Sequence, residues 1–164
     1  MIILGLDPGT AITGYGVIKI SSRRTAECLA YGCIRTSKDL SQPKRLVALE
    51  KGVQDIVKQW APRAAAVEQL YFFKNLKTAL PVSEARGVIL CALEKMNIPI
   101  REFTPLQIKM AITGYGRAEK IQVQKMVQRA LRLPSLPKPD DAADALGIAI
   151  ACSYAISTNL RGPA

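Results

Sequence analysis

Residues 2–6 read IILGL, an unbroken apolar run closed at once by Asp7 and Pro8. Such a run is too short for an ordinary helix and lacks polar alternation, the mark of a strand buried on both faces. A chain built around it must supply cover above and below. Residues 64–67, AAAV, repeat the pattern and end on a second acid, Glu68.

A second feature competes for the architecture. The hexapeptide AITGYG occurs at Ala11–Gly16 and again at Ala111–Gly116, and a duplicated domain would override every other consideration. The flanks exclude one. The first copy continues into Val17-Ile18-Lys19-Ile20, which is β-branched and strand-like. The second continues into Arg117-Ala118-Glu119-Lys120 and a helical pattern. There Val123, Met126, Val127, Ala130 and Leu131 share one face, with Lys125, Arg129 and Arg132 opposite. These are two unrelated Gly-x-Gly bends.

The rest of the chain reads as follows. Residues 14–21 and 25–36 pattern as strands joined by the polar turn Ser21-Ser22-Arg23-Arg24, which with 2–6 suggests an antiparallel meander. Helices are expected over 43–60, 77–96, 105–112, 118–132 and 141–154, and a further strand over 98–103. LPSLPKP is a Pro-rich connector, and the last helix is nearly all apolar (AADALGIAIAC) and is expected to be buried. The expected fold is one α/β domain over residues 1–156, a five-stranded mixed sheet with helices on both faces, and a disordered tail over 157–164.

Charge narrows the partners. Lys plus Arg number 23 against 13 Asp plus Glu, a formal charge of +10, and histidine is absent. No His-based triad, base or metal ligand is possible, and the excess of positive charge points to a polyanion, nucleic acid before a membrane surface. Cys28, Cys33, Cys91 and Cys152 include no Cys-x-x-Cys pair, so zinc is not expected. Cys91 and Cys152 lie in apolar helical runs and read as buried free thiols of a reducing cytosol. MIILGLD is expected to be a strand rather than a signal peptide or membrane span, and a cytoplasmic location follows.

Four acids stand in apolar company. Asp7 and Glu68 close apolar strands, where the sites of parallel sheets form. Asp141 and Asp144 lie at i and i+3 on the last helix and share a face. Each has a plain alternative: Asp7 opens a turn with Pro8-Gly9, and the acids near 141 suit a helix N-terminus. Asp140, after Pro139, reads as the cap. Together on a basic chain the four favour a hard divalent cation, magnesium or manganese. Two such ions, roughly 3.5–4 Å apart, serve phosphodiester cleavage. Gly9, Thr10, Gly14 and Gly16 form a loop region open to close approach by a phosphate. Tyr71 and Phe72, next to Phe73, with Lys74 and Lys77, suit stacking on unpaired bases. Arg117, Lys120 and Lys125 lead into a basic helix that can lie along phosphates.

GLDPGTAITGYGV, VEQLYFFKN, ARGV, ITGYGRAEKIQVQKMV and LPKPDDAADALGIAIA occur in this order. Over residues 1–156 the chain resembles the RuvC family of bacterial Holliday junction resolvases. That resemblance implies an RNase H-like fold, a homodimer, and paired magnesium-dependent nicks that resolve four-way DNA junctions and leave 5′-phosphate ends. Asp7, Glu68, Asp141 and Asp144 match the family's catalytic acids, which hold two Mg²⁺ with Mn²⁺ as a substitute. Some members carry histidine at the place of Asp141. Tyr71 takes an aromatic position near the junction point, and Lys109 and Lys120 match basic positions at the site. The RuvA–RuvB branch-migration complex is the implied protein partner.

Three rivals remain at this point. Actin-type kinases share the opening motif but need a duplicated domain. A nuclease of ribosomal RNA processing shares it too, though the Lys120 block and the final DDAAD speak against it. A non-catalytic junction-binding protein predicts indifference to magnesium.

Overall fold

The computed structural model describes residues 1–22, 25–69 and 76–159. Five strands, β1 (Ile2–Asp7), β2 (Ile12–Ile20), β3 (Ala26–Arg35), β4 (Ala64–Glu68) and β5 (Ile100–Phe103), form one sheet in the order β3-β2-β1-β4-β5. The first three are antiparallel, and β1, β4 and β5 run parallel. The expected mixed sheet is therefore present, with β1 at its centre, as an unbroken apolar run requires.

Among the described residues five helices flank the sheet. They are α1 (Gln42–Trp60) after β3, α2 (Leu76–Lys95) after β4, and α3 (Pro105–Thr113), α4 (Lys120–Ala130) and α5 (Asp140–Asn159) after β5. Strand parity decides which helices each residue meets. Leu4 and Leu6 of β1 and Ala65 and Val67 of β4 pack with Leu49, Val53, Ile89 and Leu93 of α1 and α2. Ile3 and Ala66 face the other way, into a core shared with Ile108, Val127, Leu146 and Ile150 of α3, α4 and α5. By that alternation Gly5, Asp7 and Glu68 belong to the α5 side.

Elements differ from expectation mainly at their ends. β5 begins at Ile100 rather than Ile98, and α5 runs on to Asn159, through residues expected to be tail. Met126, expected on the buried stripe of α4, is 37% exposed. Cys152 is buried, and burial pushes its thiol up to about 11. Cys91 corrects the sequence reading, because it sits on the outward face of α2 and is exposed. No described helix is long and apolar enough to cross a membrane.

Candidate active site

Asp7 is the last residue of β1, and its antiparallel partner on β2 is Gly14. Leu6 pairs in parallel with Val67, which brings Glu68 beside Asp7 at the same sheet end and on the same face. The third and fourth acids arrive from α5, whose first turn sits directly over β2. A Cβ on Gly14 would strike the backbone carbonyl of Asp141, and one on Gly16 would lie 2.8 Å from the Leu146 nitrogen. Gly5 meets α5 in the same way, at the Ala145 carbonyl and the Ala149 nitrogen. Three glycines on two adjacent strands thus let a helix backbone settle onto the sheet, and the settled helix carries Asp141 and Asp144 to Asp7.

This revises the glycine reading. Gly14 and Gly16 admit a helix where close approach of a phosphate was expected. Gly9 serves its own turn, where a Cβ would meet the Ile12 carbonyl. The Thr10 hydroxyl is also engaged internally, donating to the Pro81 carbonyl of α2 at 2.6 Å, and the residue is only 7% exposed. Thr13 donates to the Gly9 carbonyl, and Thr36, itself bonded by Arg45, donates to the Thr10 carbonyl. Hydroxyls hold the turn after Asp7 in place from several sides.

The electrostatics show four carboxylates sharing a small volume. Asp7 is pushed up to about 8, first by burial and then by the charges of Glu68, Asp144 and Asp141. Burial and Asp144 raise Glu68, against a hydrogen bond with Asp7 that favours its charged form. Asp144 is raised by burial, against the pull of Lys120. Burial and then like charge raise carboxylates in this way, and a cation beside them opposes the rise. A lysine stands partly in that place: Lys120 Nζ lies 3.0 Å from Asp144 Oδ2 and 3.3 Å from Asp140 Oδ2. Partial desolvation works against the Lys120 charge, yet Asp144 and then Asp140 hold it above its ordinary value.

Among the described residues no three acidic or thiol side chains already close into a metal-sized cage. The donor chemistry nevertheless fits a hard cation, since every donor is a carboxylate oxygen and the cluster's excess charge is what a divalent ion would neutralise. Asp7, Glu68, Asp141 and Asp144 are the residues that would hold it.

A cavity of about 230 Å³ opens beside the acids. Glu68, Asp144, Lys109 and Lys120 line its polar part, and Pro105, Ile108, Val123 and Ile148 its apolar part. The structure therefore brings Lys109 and Lys120 to the site. Arg117 and Lys125 are exposed, on the loop before α4 and on its outer surface, and do not line the cavity. Tyr71, Phe72, Phe73 and Lys74 lie outside the described residues, and Lys77 is placed only as part of the first turn of α2.

Asp140 corrects another expectation. It is the first residue of α5, not the cap, and its carboxylate faces Lys120 and Gln124 of α4. Those two partners, Lys120 first, hold it below the ordinary carboxylate range. No local signal marks this role, because it depends on where α4 lies against α5.

With this geometry in view, comparison with known proteins decides the lineage. The family model described as crossover junction endodeoxyribonuclease RuvC matches residues 3–152. The chain belongs to the RuvC family. A RuvC crossover junction endodeoxyribonuclease of Desulforamulus reducens is 55% identical over 150 residues, covering 92% of this chain and 91% of that protein. The solved RuvC of Thermus thermophilus, 31% identical, superposes with a TM-score of 0.88 over 96% of this chain and 97% of its own. The T. thermophilus RuvC solved with a Holliday junction substrate is 29% identical, with a TM-score of 0.85 and 96% of each chain covered. The sheet and helices are thus those of RuvC, an RNase H-like fold.

Proposed function

We propose that the protein is a metal-dependent endodeoxyribonuclease that resolves four-way DNA junctions by paired, symmetric nicks during recombination and repair. The observation that carries this reading is the convergence of Asp7, Glu68, Asp141 and Asp144 on one sheet end, in a chain of the RuvC family.

Two Mg²⁺ per site are the cofactor in this reading, replaceable by Mn²⁺. When bound they would lower the charge on the scissile phosphate and promote hydrolysis. The chain's residues supply the rest. Asp7, the most buried of the acids and the one raised by the charges of the other three, would hold the metal together with Glu68, Asp141 and Asp144. Lys109 and Lys120, on the cavity wall, hold the DNA backbone at the site. Water attacks the phosphate in line, the bond to the 3′ oxygen breaks, and 5′-phosphate and 3′-hydroxyl ends remain. No side chain forms a covalent intermediate. Tyr71 or Phe72 stacks on unpaired bases near the crossover, with Lys74 and Lys77 on the flanking strand. Arg117 and Lys125 extend the basic surface along a DNA arm.

A junction presents two equivalent strands, so a two-fold homodimer offers one site to each. What supports the outer face of α2 as the interface is its chemistry: Leu80 is 73% exposed, and Gly87 and Cys91 are also exposed on that helix. The cytoplasm is the compartment, and the RuvA–RuvB branch-migration complex the protein partner.

The test is cleavage of a labelled four-way junction with magnesium by the wild type and by Asp7→Asn. Symmetric nicking by the wild type, with binding but no cleavage by the variant, is the expected result. Equal cleavage by both would remove Asp7 from the site, and binding without cleavage by both would favour a non-catalytic role.

A further inference from the structure

We infer that Asp140, oriented by Gln124, is a positioning residue that keeps the Lys120 ammonium at the mouth of the acidic cluster; the inference rests on the nuclease reading above. Four side chains form a square between two helices. Lys120 and Gln124 stand one turn apart on α4, and Asp140 and Asp144 one turn apart on α5. Lys120 Nζ reaches Asp144 Oδ2 at 3.0 Å and Asp140 Oδ2 at 3.3 Å, while Gln124 Nε2 donates to Asp140 Oδ1 at 3.1 Å. Both oxygens of Asp140 are therefore engaged, one by each residue of α4. Gln124 is only 9% exposed, and a buried amide directing its donor at an exposed carboxylate fixes which way that carboxylate faces.

The two acids of the square differ in what else claims them. Asp144 belongs to the quartet, so a cation held there would draw on its oxygens and weaken its bond to Lys120. A lysine anchored by Asp144 alone would leave, repelled by the new charge. Asp140 stands outside the quartet and bonds only to α4 residues among the contacts described. It therefore retains Lys120 beside Lys109 on the cavity wall, where a phosphate oxygen of the bound strand arrives. Lysine's flexible stem makes such an anchor necessary, because the ammonium is otherwise free to sample many positions.

Acetylation of Lys120 by an amine-reactive ester, followed by mass spectrometry, tests this without DNA. In Asp140→Asn, Lys120 should be labelled several-fold faster than in the wild type when magnesium is present. Without magnesium the difference should be small, since Asp144 still holds the lysine. On junction DNA, Asp140→Asn should lower the nicking rate about tenfold with binding nearly unchanged, and should have no further effect in a Lys120→Met background. Asp140→Glu should restore part of the loss. Equal labelling of Lys120 in both proteins with magnesium overturns the inference, as does an undiminished effect of Asp140→Asn in the Lys120→Met background. Thermal midpoints of each variant establish that the fold is intact, and because the labelling needs no DNA its result stands whether or not the junction is cut.

Discussion

Asp7 is a carboxylic acid held in a place that disfavours its charge, and this links protein stability to pH. Its folded-state pKa, about 8, lies above the ordinary value of 3.8, so the folded protein binds a proton that the unfolded chain has released. Stability from this residue is complete below about pH 4 and declines as pH rises toward 8. Without divalent metal, the thermal midpoint should therefore fall from pH 5 to pH 8, at the slope of one differential proton or more, since Glu68 and Asp144 are raised in the same direction. Asp7→Asn should flatten that fall, raising the midpoint at pH 8 by several degrees while changing little near pH 5. Magnesium should recover more stability at pH 8 than at pH 6, because it competes with protons for the same oxygens. Calorimetry in EDTA and in magnesium measures all three, and a midpoint of Asp7→Asn that tracks the wild type at every pH would sink the account.

At the scale of elements, the site depends on how closely α5 lies on β1 and β2. An alanine at Gly14 or Gly16 puts a methyl group against the backbone of Asp141 or Leu146, which has no rotamer by which to yield. Each substitution should cost about 3 kcal/mol, read from urea unfolding. Gly14→Ala should also lose nicking activity beyond its loss of stability, since the displaced backbone carries Asp141. The sequence reveals half of this. β1 and β4 are legible as buried strands because their unbroken apolar runs are too short for ordinary helices, and α5 is legible as buried because beyond the acids at its N-terminal end it is nearly all apolar. Glycine is visible at 14 and 16, but what approaches it is not, because the approaching backbone lies far along the chain. Cys91 fails for a related reason: apolar neighbours on α2 do not say which side of the helix turns outward. The four acids stand out because charge ending an apolar run is locally anomalous, whereas Asp140 beside them looks like an ordinary helix-start residue.

For the whole molecule, the proposal of a two-fold assembly makes the outer face of α2 decisive. Cys91→Arg places a large charged side chain on that exposed face without touching either core. Sedimentation should show a monomer with an unfolding midpoint close to the wild type. On a junction the variant should yield singly nicked products in place of paired ones. A variant that still sediments as a dimer would move the interface elsewhere.

The site also has a schedule. Asp7 is synthesised before Glu68, and Asp141 and Asp144 later still, with α5, the helix that lies on β1 and β2. A chain interrupted before α5 would therefore lack two of the four acids and the helix backbone that settles on β1 and β2, and on the proposed reading it should not nick DNA.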